Sequence, residues 1–233
     1  MQIQQNISLK PYNTFGIDVT AKHFVSITNI EALKAVLDLK DYPNKLILGG
    51  GSNMLLTKNQ NVLVVHINIK GISVISEDDD IVIIKANAGE NWHEFVLWCL
   101  KNDYGGLENM SLIPGNVGTA PIQNIGAYGV EFNRFCHQIQ FLQLDTGKLV
   151  HFDNDQCHFG YRESIFKQQL KNLAVITEVT LKLAKQWQAV TNYGPLQHLD
   201  PATVTARQIF DCVCHVRQSK LPDPKKLGNV GSF

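Results

Sequence analysis

Two glycine-rich runs hold the residues of this chain best suited to chemistry. Residues 113–129 read Ile-Pro-Gly-Asn-Val-Gly-Thr-Ala-Pro-Ile-Gln-Asn-Ile-Gly-Ala-Tyr-Gly. Gly115, Gly118, Gly126 and Gly129 let the backbone come close to a ligand, while Pro114 and Pro121 stiffen the path. Thr119, Gln123, Asn124 and Tyr128 offer hydrogen bonds without charge. Such a run suits a loop folded around a large polar cofactor better than a packed helix or strand, and long loops in compact domains are commonly functional. The second run, Gly49-Gly50-Gly51-Ser52-Asn53, follows the apolar stretch Lys45-Leu46-Ile47-Leu48. Successive glycines allow consecutive N–H groups to face one concavity, a nest for a pyrophosphate. The dinucleotide fingerprint would need a glycine where Met54 stands and a helix after it, and a Walker A loop would need Gly-Lys-Ser/Thr; neither is present. The run reads as a phosphate-binding turn between strands, with a plain hairpin turn as the bland alternative.

The elements that must position these loops alternate between strand and helix. Asn29 is a plausible cap for a helix from Ile30 to about Lys40. Strands are expected at 45–48, 62–67 and 81–86. Asn91 can cap a second helix carrying Trp92, Phe95, Val96, Cys99 and Leu100 at helical spacing, ended by Gly105-Gly106. Residues 139–144 and 149–152 suggest a hairpin about Asp145-Thr146-Gly147-Lys148. Residues 176–183 alternate as a half-buried strand, with Val179, Leu181 and Leu183 inward and Glu178, Thr180 and Lys182 outward. The segment 185–205, with Pro195 and Pro201, reads as a domain boundary, and Thr205 caps a last helix to about Ser219.

Composition sets the class. The 233 residues can hold one large domain or two small ones. Acidic and basic residues number 21 each, so no basic field favours nucleic acid or an anionic membrane surface. No apolar run is long enough for a membrane span, and the first residues do not form a signal peptide. Five scattered cysteines, an odd number, argue for reduced thiols and a cytoplasmic setting. Cys212 and Cys214 point to different faces of a helix, and no metal site is expected.

Taken in order, the motifs resemble one family. They are Asn13-Thr14-Phe15-Gly16, the 49–53 run, Gly89-Glu90-Asn91-Trp92, Gly106-Leu107-Glu108-Asn109, the 113–129 run, Gly160 to Lys167, and Leu221 to Phe233. The family is that of the UDP-N-acetylenolpyruvoylglucosamine reductases of peptidoglycan synthesis, in the subtype with a mobile tyrosine loop. The resemblance implies an α+β fold: a two-subdomain FAD-binding region of the vanillyl-alcohol-oxidase type over residues 1–185, then the start of a substrate-binding α+β domain over 186–233.

It also implies an NADPH-dependent, non-covalent FAD enzyme that reduces UDP-N-acetylglucosamine enolpyruvate, acting as a monomer without nucleic acid or membrane. Hydride goes to the β carbon of the enolpyruvyl group and a proton to the α carbon. Arg162 matches the family's arginine, whose planar cation stabilises charge developing on the carboxylate; a surface salt bridge is the ordinary alternative. Ser232 matches the proton donor. Tyr161, Tyr193 and Lys220 match positions that touch the sugar nucleotide or help polarise the serine. Gly49, Gly50, Gly51, Ser52, Asn53, Pro114, Gly115, Gly118, Thr119, Gln123, Asn124, Gly126 and Tyr128 fall in the two flavin loops.

Thr119-Ala120 stands where the family often has two serines, so one hydroxyl is absent. The family continues beyond the position of Phe233 with a stretch bearing a further catalytic glutamate, which no residue here matches. An apparent truncation is the expectation, and a non-catalytic FAD-binding remnant or fragment is the alternative to a working reductase. Another flavin oxidase of this architecture is weaker, because neither glycine loop holds a His or Cys to tether FAD.

Overall fold

The structure, a computed structural model, describes residues 2–224 and 226–229. Ser232 lies outside the described residues.

Two sheets carry the two glycine runs. The first has four strands in the order β1-β2-β4-β3: β1 (Gln4–Ser8), β2 (Thr20–Ile27), β3 (Lys45–Leu48) and β4 (Gln60–Ile67). β3 and β4 pair in parallel, Lys45 opposite Leu63 and Leu48 opposite His66. Parallel neighbours cannot be joined by a hairpin, so the 49–53 run is a crossover turn leaving the C-terminal end of β3. Helix α1 (Ile30–Leu37) buries Leu33 and Val36, and the Asn29 side chain accepts from the Ala32 N–H as the cap.

The second sheet has five strands in the order β10-β9-β11-β6-β5. They are β5 (Ile72–Glu77), β6 (Ile81–Asn87), β9 (Cys136–Gln143), β10 (Leu149–Asp153) and β11 (Ala174–Ala184), all antiparallel. Between β6 and β9 lie helix α2 (Trp92–Lys101) and the two-residue strands β7 (Gly126–Ala127) and β8 (Val130–Glu131). Helix α3 (Ala206–Lys220) closes the described chain, with Thr205 and Gln208 in a reciprocal capping box.

The core is continuous across the sheets. Leu142 and Val175 of the second sheet join Val25, Ile27, Leu63 and Val65 of the first in one cluster. Trp92, Phe95 and Cys99 of α2 pack with Ile84, Phe141 and Val179 in another. Leu196, Ile209 and Val213 form a separate small cluster with Trp187 against it.

Some expectations need correction. Helix α2 ends at Lys101, four residues before Gly105, because Asp103 adopts the left-handed conformation (φ 60°) and stops it first. Thr180 is 4% exposed, so the face opposite Val179 is not solvated there. β11 is the central strand, and both of its faces are covered, Val175 packing into the cluster shared with the first sheet and Ile176 into the cluster around α2. Strands β1, β2 and β5 were not among the sequence-based expectations.

Candidate flavin and substrate site

The two glycine runs meet. A Cβ added at Gly50 would lie 2.9 Å from the Gly115 Cα, and one at Gly49 would lie 2.6 Å from the Thr119 Cγ2. One at Gly115 would lie 2.8 Å from the Ser52 Oγ. The loops are thus in backbone contact, which larger residues would forbid. Gly51 (φ 58°) is buried, and a Cβ there would sit 2.0 Å from the Tyr12 carbonyl oxygen.

The loop 113–119 is anchored independently. The Trp92 N–H donates to the Gly115 carbonyl, the Val117 N–H to Glu90 and the Gly118 N–H to Ala88. The Thr119 hydroxyl donates to the Asn116 carbonyl and accepts from the Asn116 N–H. Gly118 packs on Ala88, where a Cβ would come within 2.4 Å of the alanine methyl, so its small size serves packing between the loop and the residue that follows β6. Among the described residues, the N–H groups of Gly50, Gly51, Ser52, Asn53 and Gly115 donate to no protein acceptor. Unpaired donors on both sides of the contact between the loops, two of them on buried glycines, suit an anion. That chemistry fits the pyrophosphate of a dinucleotide cofactor. Pro114 flanks Gly115 at the partly buried edge, and Gln123 ends the short helical turn Pro121–Gln123.

The far end of the run carries Arg162. Asn124 is fully buried in the left-handed conformation (φ 43°). Its amide donates to the Glu131 carboxylate and the Gly160 carbonyl, both at 3.0 Å, and its oxygen accepts from the Asn133 N–H at 2.9 Å. The Ser164 hydroxyl adds a 2.7 Å bond to the Ile122 carbonyl. These bonds fasten the turn 160–164 to the glycine run. Asn124→Ala is expected to destabilise the fold by about 2 kcal/mol, since it strands buried partners; urea unfolding measures it.

Arg162 itself has φ 55°, a conformation that costs a non-glycine residue about 1–3 kcal/mol and collects at functional sites. One guanidinium nitrogen donates to the Gly126 carbonyl at 2.9 Å, and the group lies 5.7 Å from the centre of the Tyr161 ring. Among the described residues no carboxylate pairs with it. Tyr161 is 83% exposed beside it.

Tyr128, in the left-handed conformation (φ 49°), meets Tyr193 edge to face with ring centres 6.3 Å apart. Arg217 of α3 lies beside the Tyr128 hydroxyl, close enough for each to act on the other's ionisation. Arg217 was not anticipated from sequence. Its Nε is buried without a partner, no carboxylate among the described residues pairs with it, and burial pulls its pKa down. A half-buried cation without a carboxylate partner among the described residues suits an anionic ligand. The only sequence signal was its place in the last turn of a helix predicted from periodicity. Lys220 ends the same helix, exposed, about one turn further on. The structure therefore brings Tyr128, Tyr193 and Arg217 together, and it brings Arg162 to Gly126. Residues 226–229 run back beside the first loop: the Asn229 N–H donates to the Thr14 carbonyl, and the Thr14 N–H donates to Gly51.

His93 links these parts. Its ring stacks on Phe210 of α3 at 5.4 Å, and its Nδ1 accepts the Leu112 N–H at the entry to the glycine run. Burial holds its pKa below the ordinary value, with Glu94 opposing and Arg217 reinforcing the shift. A lowered folded pKa favours the neutral ring, so the stability it contributes is present above about pH 6.5 and lost as pH falls through the lowered value. Wild type should lose thermal stability below that pH, and His93→Gln should flatten the decline. His66, lowered by burial as well, adds a slope of the same sign that both proteins share.

Comparison with known proteins agrees with this geometry. Residues 21–153 match a family described as an FAD binding domain. The UDP-N-acetylenolpyruvoylglucosamine reductase of Flavobacterium johnsoniae is 50% identical over 238 residues, covering 100% of this chain and 71% of that protein. The reductase of Salmonella typhi is 50% identical over 228 residues, covering 97% and 66%. Among solved structures, the reductase from Thermus caldophilus superposes with a TM-score of 0.71 at 20% identity, over 96% of this chain and 72% of that one. A cholesterol oxidase from Brevibacterium sterolicum gives 0.56 at 15% identity, over 78% and 38%. The two structures bear on fold alone and place it in the α+β FAD-binding class. The chain spans about two thirds of the length of the curated relatives. Half its residues are shared with these reductases along essentially its whole length, and the chain belongs to the UDP-N-acetylenolpyruvoylglucosamine reductase family.

Proposed function

We propose that this chain binds FAD non-covalently at the seam of its two glycine loops and reduces UDP-N-acetylglucosamine enolpyruvate with NADPH. The observation that carries the reading is that the 113–129 run meets the 49–53 turn, with its unpaired N–H groups, near Gly115 and meets Arg162, without a carboxylate partner among the described residues, at Gly126. Bound there, the flavin supplies the hydride chemistry.

The chain's own residues do the rest. The 49–53 turn holds the pyrophosphate, and Pro114, Gly115, Gly118, Thr119, Gln123, Asn124, Gly126 and Tyr128 shape the remainder of the cofactor site. Arg162 presents its free N–H groups to the enolpyruvyl carboxylate and stabilises the charge that builds there. Ser232 is the proton donor of this reading. Tyr161, Tyr193 and Lys220 hold the sugar nucleotide, and Arg217, beside Tyr128, adds a half-buried positive charge for its diphosphate.

Residues 1–185 act as the FAD-binding region. Residues 186–233 begin a substrate-binding domain in this reading. The setting is cytoplasmic, the active form is a monomer, and the product, UDP-N-acetylmuramate, feeds peptidoglycan synthesis and so cell-wall growth, shape and division.

The test is steady-state NADPH oxidation by the FAD-loaded chain, with product identified by mass. Formation of a product two hydrogens heavier than the substrate supports the reading; FAD-loaded protein that oxidises no NADPH on adding the substrate overturns it.

A further inference from the structure

Asn109 is 1% exposed and sits behind the tyrosine pair. Its amide nitrogen donates to two backbone carbonyls from distant parts of the chain, Tyr128 and Val190, both at 2.9 Å. One side chain thus sets the spacing between the end of the glycine run and the segment leading to Tyr193. Its oxygen is buried without a partner, so its hydrogen bonding in the fold is confined to that pair of carbonyls. Tyr128 needs such a restraint, because its left-handed backbone is intrinsically costly for a tyrosine. The neighbouring Glu108 fixes the rest of the segment separately. Its carboxylate accepts the Trp187 indole N–H and the Gly106 N–H, both at 2.6 Å. The stem at 187 therefore has its own anchor, and Asn109 acts on the tyrosines.

We propose that Asn109 is a positioning residue for nucleotide-sugar recognition, acting through Tyr128 and Tyr193. The inference rests on the reading of Tyr193 as a ligand contact given above. Asparagine is required because the amide supplies two donors at one nitrogen, and an aspartate of the same shape would set an oxygen against two carbonyl oxygens.

The experiment titrates UDP-N-acetylglucosamine into the FAD-loaded chain and follows the flavin spectrum. Asn109→Asp is expected to weaken the nucleotide sugar about tenfold or more. FAD affinity should fall much less than nucleotide affinity, since Tyr128 also borders the cofactor site, and the rate of flavin reduction by NADPH should stay at its wild-type value. A merely structural role would lower FAD affinity and melting temperature in step with nucleotide affinity. A double-mutant cycle with Tyr193→Ala reads the route: in that background Asn109→Asp should change affinity less than about twofold. Full additivity, or unchanged affinity in the single variant, overturns the inference and leaves the proposed function standing. Wild-type protein that holds FAD but takes no UDP-N-acetylglucosamine overturns both. If Asn109→Asp fails to hold FAD, Asn109→Ser, which retains one donor, is carried through the same cycle and judged by the same outcomes.

Discussion

Replacing Arg162 with alanine is expected to leave FAD bound and the fold intact while cutting reduction of the enolpyruvyl substrate by about 10³-fold or more. The figure corresponds to about 4 kcal/mol of lost transition-state stabilisation, within the range for removing a preorganised charged donor from a developing anion. Three observations make the effect specific. The guanidinium has no carboxylate partner among the described residues. It is aimed by a single bond to Gly126 rather than consumed by several. The turn that carries it is fastened by Asn124 and Ser164, which the substitution leaves untouched. Alanine and arginine share much the same penalty at φ 55°, so stability should move little. Arg162→Gly relieves that penalty and should give a slightly more stable protein that is equally inactive. Arg162→Lys keeps the charge but loses the bidentate fork, and should recover only a small part of the rate. Stopped-flow measurement separates the steps: flavin reduction by NADPH should be nearly unchanged, and flavin reoxidation by substrate should be lost. Normal turnover in Arg162→Ala would refute the assignment.

The second large effect is expected at Gly51. Valine there should weaken FAD binding about 100-fold or more, or leave the protein unable to retain the cofactor. The new Cβ would fall 2.0 Å from the Tyr12 carbonyl oxygen and 3.0 Å from the Asn13 Cα, both backbone atoms. No rotamer change relieves a clash of that kind. A β-branched residue is also poorly suited to φ 58°. The turn must shift, and with it the unpaired N–H groups of the nest and its contact with Gly115. Gly147 is the built-in control. It too has a positive φ, 65°, but a Cβ there meets nothing within 4 Å, so Gly147→Ala should cost stability alone and leave FAD affinity unchanged. Equilibrium dialysis or flavin fluorescence gives the comparison; full flavin loading of Gly51→Val would remove the turn from the cofactor site.

Features written in short stretches of chain were legible before the fold was seen. Asn29, Asn91 and Thr205 each cap the helix that follows, because a cap needs only the residue and the next three amides. The run after β3 was readable as a turn between strands, since glycine content and the missing fingerprint residues are local facts. Strands β1, β2 and β5 were not legible. Their pairing is settled by partners elsewhere in the chain, and exposed positions such as Val74 and Ile75 of β5 blur the alternation. The stop of α2 at Asp103 was missed because an aspartate in the left-handed region looks no different in sequence from one inside a helix.

The same division runs through the site. The motif around Arg162 named the residue, but neither its positive φ nor its lack of a carboxylate partner could be read from the motif. Arg217 gave no signal and Asn109 entered only as the last residue of a motif with no role attached, because each matters through what tertiary packing brings to it: the neighbouring Tyr128 for one, two remote carbonyls for the other.

The most direct test of the account is an anaerobic titration of the chain loaded with FAD. NADPH is added first and UDP-N-acetylglucosamine enolpyruvate second, while the yellow flavin absorbance is followed. The account predicts bleaching by NADPH and return of colour on adding the enolpyruvyl substrate, with UDP-N-acetylmuramate formed in equal amount. Flavin that binds and bleaches but does not recolour when the substrate is added would contradict it.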